Sequence, residues 1–195
     1  MTAGSFVLGY HGCDRELGER VLAGDAELRP STNEYDWLAE GIYIWENDAE
    51  RGLHWAKMLH KHGRKSRFPI RAPFVLGVVA DLGHCLDLLQ AESIRLVSGA
   101  YHELKTTNER MGLAMPVNKL VRSELALRHL DCAVIQYLHQ RRAEGGLPAF
   151  DTIRAAFPEG RELYAGAGFQ ERTHIQICVR HPRQIIGCFR VKTRG

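Results

Sequence analysis

The stretch Phe6-Val7-Leu8-Gly9-Tyr10-His11-Gly12 decides how the rest of the chain is interpreted. It is a short apolar run that ends in a histidine and a glycine, which is typical of a strand that leads into a turn. Two later stretches are also strand-like: Gly41-Ile42-Tyr43-Ile44-Trp45 and Thr173-His174-Ile175-Gln176-Ile177-Cys178-Val179. We therefore predict three β-strands that each end in or carry a polar or aromatic side chain able to contact a ligand.

The alternation of side chains along a strand predicts which of these residues face the core. In the last stretch Ile177 and Val179 point to one side, which we expect to be buried. Gln176 points to the other side, and Tyr43 lies on the face of its own strand that is free of isoleucine. Together with His11, these residues predict a shared groove with one group from each strand.

Composition places the chain among ordinary single-domain proteins. It has 195 residues, 45% hydrophobic and 25% charged, and we expect one domain over residues 1–195. The net charge of +3 is compatible with an anionic ligand or nucleic acid but does not identify either. No apolar run approaches the roughly 20 residues of a membrane helix, so a cytoplasmic protein without membrane contact is expected.

Cysteine and histidine spacing gives no metal or disulfide signal. The cysteines are odd in number and scattered, which predicts reduced thiols: Cys13, Cys85, Cys132, Cys178 and Cys188. The histidines at 54, 60 and 62 have no acidic or cysteine partner at matched spacing, so no metal site is predicted. Cys13 directly follows the first motif, and we interpret it as a packing residue.

The remaining patterns predict both helices and strands. Asn47 with Glu50 three residues later resembles the capping box of a helix. Further helices are expected at 14–23, 86–101 and 119–142, and strands at 73–81, 150–157, 173–180 and 184–191. Residues 106–116 are expected to be irregular.

The three strand motifs, in this order, resemble those of the ADP-ribosyltransferase superfamily. The similarity is to the His-Tyr-[Glu/Asp/Gln] branch, which includes diphtheria-toxin-like and poly(ADP-ribose) polymerase-like enzymes. Tyr10-His11-Gly12 resembles the family's first motif, Gly41-Ile42-Tyr43-Ile44 its second, and Gln176 stands at the third position. The resemblance implies an α+β fold with a split, two-sheet core, to which residues 85–148 would add a helical insertion.

The resemblance also implies a role for each motif residue toward NAD, which would be a substrate. His11 would hydrogen-bond the 2′-hydroxyl of the adenosine-side ribose, and the Gly12 backbone would hold the nicotinamide carboxamide. Tyr43 would stack on the nicotinamide ring, with Trp45 or Trp37 supporting it. Gln176 would contact the hydroxyls of the nicotinamide-side ribose. The catalytic set implied is therefore His11, Tyr43 and Gln176.

Gln176 departs from the glutamate that is commonest in this family. A glutamine offers a carbonyl dipole without net charge, and the loss of one preorganised electrostatic contribution costs about 3 kcal/mol, or roughly a hundredfold in rate. Glu46 is the better compensating carboxylate, because Glu171 would face away from Gln176 on a regular strand.

The implied activity is ADP-ribose transfer from NAD to an unidentified acceptor, by a bacterial toxin or defence effector. Protein, nucleic acid and nucleotide acceptors stay open, as does the existence of an antitoxin partner. Two alternatives also remain. One is an NAD glycohydrolase that uses water as acceptor. The other is a non-catalytic module that binds NAD, ADP-ribose or nucleic acid.

Overall fold

The computed structural model describes residues 6–62, 69–121 and 124–192. Nine strands occur in these parts of the chain: β1 Phe6–Asp14, β2 Ile42–Glu46, β3 Pro73–Asp81, β4 Cys85–Asp87, β5 Lys119–Val121, β6 Glu124–Leu127, β7 Thr152–Phe157, β8 His174–Val179 and β9 Ile185–Arg190. The same parts contain four α-helices: α1 Arg15–Ala23, α2 Ala49–His62, α3 Ala91–Arg110 and α4 His129–Glu144. The predicted α+β class is confirmed.

Seven strands form one mixed sheet in the order β4-β7-β8-β2-β1-β3-β9, and β5 pairs with β6 in a separate hairpin. Among the strands of the described ranges, β4 and β7 are the one parallel pair. The two central strands β1 and β2 pair through just two residue pairs, Gly9 with Glu46 and Tyr10 with Trp45. By contrast, β1 pairs with β3 over all nine of its residues. The core strands thus form a single sheet rather than the two sheets expected. Its weakest link is the short pairing of β1 with β2, beyond which these two strands separate.

Each face of the sheet is covered by a different set of helices. On the face that carries Ile44 and Ile177, hereafter the Ile44 face, Leu17 and Val21 of α1 pack on the sheet. The opposite face carries Tyr43 and is hereafter the Tyr43 face. There α3 and α4 pack over β7 and β8, through side chains such as Ala100, Cys132, Val134 and Leu138 against Ile153, Ala155 and Cys178. Both faces of β8 are therefore buried.

Helix α2 lies on the Tyr43 face because two glycines allow close approach. A Cβ atom on Gly12 would lie 2.2 Å from the Gly52 carbonyl oxygen and 3.3 Å from the Ala56 nitrogen. The helix begins after Asp48, whose Oδ1 accepts a 2.8 Å hydrogen bond from the Arg51 backbone N–H. The cap is thus Asp48 rather than the predicted Asn47, which adopts a left-handed conformation with φ 53°.

Residues 85–148 contain more β structure than the sequence patterns indicate. Helices α3 and α4 are present, as expected for a helical region. Residues 85–87 form β4, which joins the central sheet beside β7. The helix expected over 119–142 begins only at His129, and the preceding residues form the β5–β6 hairpin. Helix α3 also extends to Arg110, into the segment expected to be irregular.

The described helices give no sign of a membrane span. None of them in the described parts of the chain combines the length and the hydropathy that crossing a bilayer requires.

Candidate functional site

His11 lies where β1 and β2 separate. Its Nδ1 is 2.8 Å from the carbonyl oxygen of Tyr43 on the neighbouring strand. A carbonyl only accepts, so Nδ1 carries a proton and donates this bond, which leaves Nε2 of the neutral ring as an acceptor. Burial lowers the pKa of His11, while the bond to Tyr43 opposes that shift, so the ring is neutral at physiological pH. The imidazole thus bridges the two halves of the sheet where backbone pairing stops.

Tyr43 is fixed by its hydroxyl as well as by its strand. The hydroxyl accepts a 2.9 Å hydrogen bond from the Leu38 backbone N–H and donates a 2.6 Å bond to the Ala39 carbonyl. Burial raises the pKa of this hydroxyl above its usual range, so it stays protonated. Tyr43 therefore holds the segment just before β2, in which Ala39 has a left-handed backbone conformation with φ 63°.

Gln176 lies on the Tyr43 face and is the cross-strand partner of Trp45. The residue is 7% exposed, and its amide makes no hydrogen bond to another described residue. The amide atoms keep some contact with solvent, so water or a ligand can satisfy their hydrogen bonds. Gln176 is therefore a polar group that the fold itself does not use.

The three residues expected from the sequence come from three adjacent strands. Tyr43 pairs with Cys178, two positions along β8 from Gln176, so Tyr43 and Gln176 are near neighbours on one face. Because Tyr10 pairs with Trp45, the next residue His11 points to the Ile44 face, and its ring reaches the backbone carbonyl of Tyr43 rather than the Tyr43 ring. The predicted groove thus collects Tyr43 and Gln176 on one face, whereas His11 points to the other. Gly12 follows directly, packed under α2.

The two carboxylates considered as substitutes for a catalytic glutamate are both engaged elsewhere. Glu46 accepts two hydrogen bonds from Arg154, at 2.6 and 3.0 Å, and shares the Ile44 face. Glu171 is paired with Arg161 at 3.0 Å. The expectation that Glu46 assists Gln176 is therefore wrong, because β2 alternates and turns Glu46 away from the Tyr43 face.

A corner of aromatic and charged side chains next to Gln176 was not expected from the sequence. His174 lies two residues before Gln176 on the same face, and its Nδ1 donates a 2.8 Å bond to the Arg172 carbonyl. Arg51 of α2 forms an ion pair with Glu159, which also lies near His174. Burial lowers the pKa of His174 to about 4 and raises the pKa of Glu159, the latter against the opposing effect of Arg51.

Three polar atoms of this corner have no protein partner among the described residues: Trp45 Nε1, Arg51 Nε and His174 Nε2. The first two are donors. His174 Nε2 is an acceptor, because Nδ1 carries the proton. The Trp45 and His174 rings lie 6.4 Å apart, so these atoms belong to one neighbourhood. From the sequence, strand alternation alone indicated that His174 lies on the same face as Gln176. The contact of Arg51 with Glu159 could not be predicted, because 108 residues separate the two.

Other side chains near the motifs play structural parts. Cys13 is buried, and burial raises the pKa of its thiol to about 12, which makes it a poor nucleophile. Across the described ranges, no group of three or more His, Cys, Asp or Glu side chains is placed to hold a metal ion.

Comparison with known proteins identifies a similar protein but does not indicate a function. No known family model matches the chain. It is 28% identical over 194 residues to an uncharacterized protein of the archaeon Methanocaldococcus jannaschii. The match covers 90% of this chain and 83% of the archaeal protein, so the similarity extends along most of both chains.

Proposed function

We propose that the protein binds NAD where β1 and β2 separate, and transfers ADP-ribose from it to an acceptor. The observation that carries this proposal is the His11–Tyr43 hydrogen bond, at 2.8 Å, across the opening of the sheet. His11, Tyr43 and Gln176 lie on the adjacent strands β1, β2 and β8, in the order of the ADP-ribosyltransferase motifs that the sequence resembles, and the bond links the first two of these strands.

The proposed roles follow from the chemistry of each group. Nε2 of the neutral His11 ring would accept a hydrogen bond from a hydroxyl of the adenosine-side ribose. The backbone of Gly12 would hold the nicotinamide carboxamide, and the Tyr43 ring would stack on the nicotinamide ring. The Gln176 side-chain oxygen would accept from the hydroxyls of the nicotinamide-side ribose.

The reaction breaks the bond between C1′ of that ribose and the nicotinamide nitrogen. Nicotinamide leaves with the bonding electron pair, and positive charge develops at C1′. The oriented dipole of Gln176 would stabilise this charge, and the acceptor's lone pair then forms the new bond to C1′.

The test is nicotinamide release from NAD by the purified protein, with and without cell fractions as a source of acceptor. We expect release by the wild type and a loss of roughly a hundredfold in Gln176→Ala. Because the Gln176 amide makes no hydrogen bond within the described structure, this variant should fold normally. Gln136→Ala, at an exposed position of α4, is the matched control and should keep full activity.

Two results would count against the transferase. If neither nicotinamide release nor NAD binding is detected with any fraction, the proposal is wrong. If nicotinamide is released but no macromolecule or nucleotide acquires the adenine label, the protein is an NAD glycohydrolase instead.

A non-catalytic NAD or ADP-ribose binding module is the second candidate. It is favoured by the engagement of Glu46 by Arg154 and of Glu171 by Arg161, which leaves an uncharged amide at the third motif position. Calorimetry that shows binding of NAD or ADP-ribose without any nicotinamide release over hours would support this candidate over the enzyme.

A further inference from the structure

A cavity of about 610 Å³ lies on the Tyr43 face, between α3, α4 and the end of β7. Its walls include the aromatic side chains Trp37, Tyr101 and Phe157 together with Val97, and Ala155 lies in its floor. The volume falls in the range of small-molecule sites, roughly 300–1,000 Å³. Neither the NAD-binding motifs nor the core requires an open space here.

This cavity adjoins the proposed catalytic groove. Ala155, in its floor, is the cross-strand partner of Gln176. Phe157, in its wall, is the partner of His174. A ligand in the cavity would thus lie one strand away from the amide that is proposed to contact the nicotinamide-side ribose.

The polar groups of the cavity consist of both donors and acceptors. The Arg128 guanidinium lies 4.3 Å from the centre of the Trp37 ring and 5.0 Å from that of Phe157. Asp131 accepts a 3.2 Å hydrogen bond from Arg128 and a 2.9 Å bond from Asn118. Ser98 adds a hydroxyl. The cavity therefore combines aromatic and aliphatic walls with one cation and one anion that are paired with each other, and the cation also contacts the Trp37 and Phe157 rings.

We propose that this cavity binds a nucleobase, which is the acceptor of the ADP-ribose group; this inference rests on the proposed function. A nucleobase is planar, uncharged and edged with both donors and acceptors, which matches aromatic walls with an Arg128–Asp131 pair. The charges of that pair are mutually compensated, which disfavours a ligand group with an unbalanced charge inside the cavity. A ring or exocyclic nitrogen of the base gives its lone pair to C1′, nicotinamide leaves with its bonding pair, and the proton of the base nitrogen passes to water.

The first part of the test measures base binding without NAD. Calorimetry with the four nucleoside monophosphates and with single-stranded oligonucleotides should show binding of at least one base, and the two probe sets distinguish a free nucleotide from a base within a strand. Ser98→Phe, which fills the cavity from an exposed position of α3, should weaken this binding tenfold or more. Thr106→Phe, on the same helix outside the cavity, should not.

Binding of the base should also survive in Gln176→Ala and should not be abolished by saturating NAD. The proposal is overturned if no base binds, if Ser98→Phe binds as tightly as the wild type, or if NAD displaces the base completely. It is also overturned if a tyrosine- or tryptophan-containing peptide binds in the cavity and the bases do not.

The second part adds NAD and follows the mass of the bound base. A gain equal to one ADP-ribose group, lost in Ser98→Phe but not in Thr106→Phe, supports the proposal. Nicotinamide release that never marks a base contradicts the acceptor assignment and leaves the NAD reaction standing. Base binding in a protein that does not bind NAD contradicts the proposed function and the acceptor role together.

Discussion

Polar side chains on the two faces of the central sheet differ in how many hydrogen bonds they make within the protein. On the Ile44 face, Arg154 contacts Glu46 through two hydrogen bonds and Asp87 through a third at 3.1 Å. On the Tyr43 face, only one residue away along β2 and β8, Trp45 Nε1 has no protein partner and the Gln176 amide makes no hydrogen bond to another described residue. Trp45 and Gln176 are 3% and 7% exposed, so the less hydrogen-bonded groups are also the more deeply buried ones.

This difference separates structural polar groups from groups available to a ligand. Polar groups that are buried and mutually paired contribute to folding, whereas buried groups that lack protein partners need solvent or ligand to offset their desolvation. The carboxylate that the sequence suggested for catalysis, Glu46, belongs to the first class. The carboxamide Gln176 belongs to the second.

Arg154→Met provides the strongest test of the structural assignment. The change leaves Glu46 and Asp87 without their shared cation, and because these side chains are 13–17% exposed, the loss should lie between the roughly 0–1 kcal/mol of an exposed pair and the roughly 3–5 kcal/mol of a fully buried one. Denaturant unfolding should show a loss of that order. Arg183→Met is the control, because its pair with Asp151 is exposed on the arginine side and should contribute about 0–1 kcal/mol. A loss below that of the control would mean that the Ile44 face does not depend on the ion network.

Tyr43→Phe tests a residue that combines a structural hydrogen bond with a proposed contact to the ligand. The ring belongs to the proposed NAD groove, but the hydroxyl is paired with the backbone of Leu38 and Ala39. Loss of the hydroxyl leaves those buried groups unpaired and should lower the free energy of unfolding by about 1–3 kcal/mol.

The affinity of Tyr43→Phe for NAD should change little at temperatures where the variant is folded, because the ring is retained. Tyr164→Phe, at a 62% exposed position, should match the wild type in both measurements. A large loss of NAD affinity with unchanged stability would mean that the Tyr43 hydroxyl contacts NAD rather than supporting the fold, which would contradict the distinction between structural and ligand-binding polar groups.

Sequence patterns located the strands that carry the motifs and were insufficient for what surrounds them. The turn predicted at His11-Gly12 is wrong, because pairing with β3 continues β1 as far as Asp14. Alternation predicted that Gln176 and Tyr43 avoid the Ile44 face, and pairing of Tyr43 with Cys178 agrees with it. The register of β2 on β8 also follows from the buried isoleucines, because a one-residue slip would expose them.

The errors arose where long-range contacts decide the structure. Residues 85–87 are a strand because β7 offers an edge for pairing, which no local pattern records. The ion pair of Arg51 with Glu159 joins α2 to the segment after β7, and its partners are too far apart in sequence to be matched. The cavity beside Ala155 likewise depends on how α3 and α4 pack, so the sequence could predict the motif residues but not the proposed acceptor site.

His139 offers the mildest test, since it is an unpaired buried group outside the proposed site. Neither ring nitrogen has a partner within the described residues, and burial, reinforced by Arg180, Arg142 and His181, lowers its pKa to about 3. Below pH 6.5 the unfolded chain binds a proton on His139 that the folded protein does not bind, so this residue makes stability fall as the pH drops from about 6.5 toward 3.

His139→Leu removes both the unpaired nitrogens and this titration. We expect a gain of about 1 kcal/mol at pH 7 and a larger gain at pH 5, measured by denaturant unfolding. His102→Leu, at an exposed position of α3, is the control and should leave the free energy of unfolding at pH 7 close to that of the wild type. If His139→Leu were instead destabilising at both pH values, the ring would have a partner that its surroundings do not reveal, and unpaired burial alone would not be a sufficient sign of a ligand site.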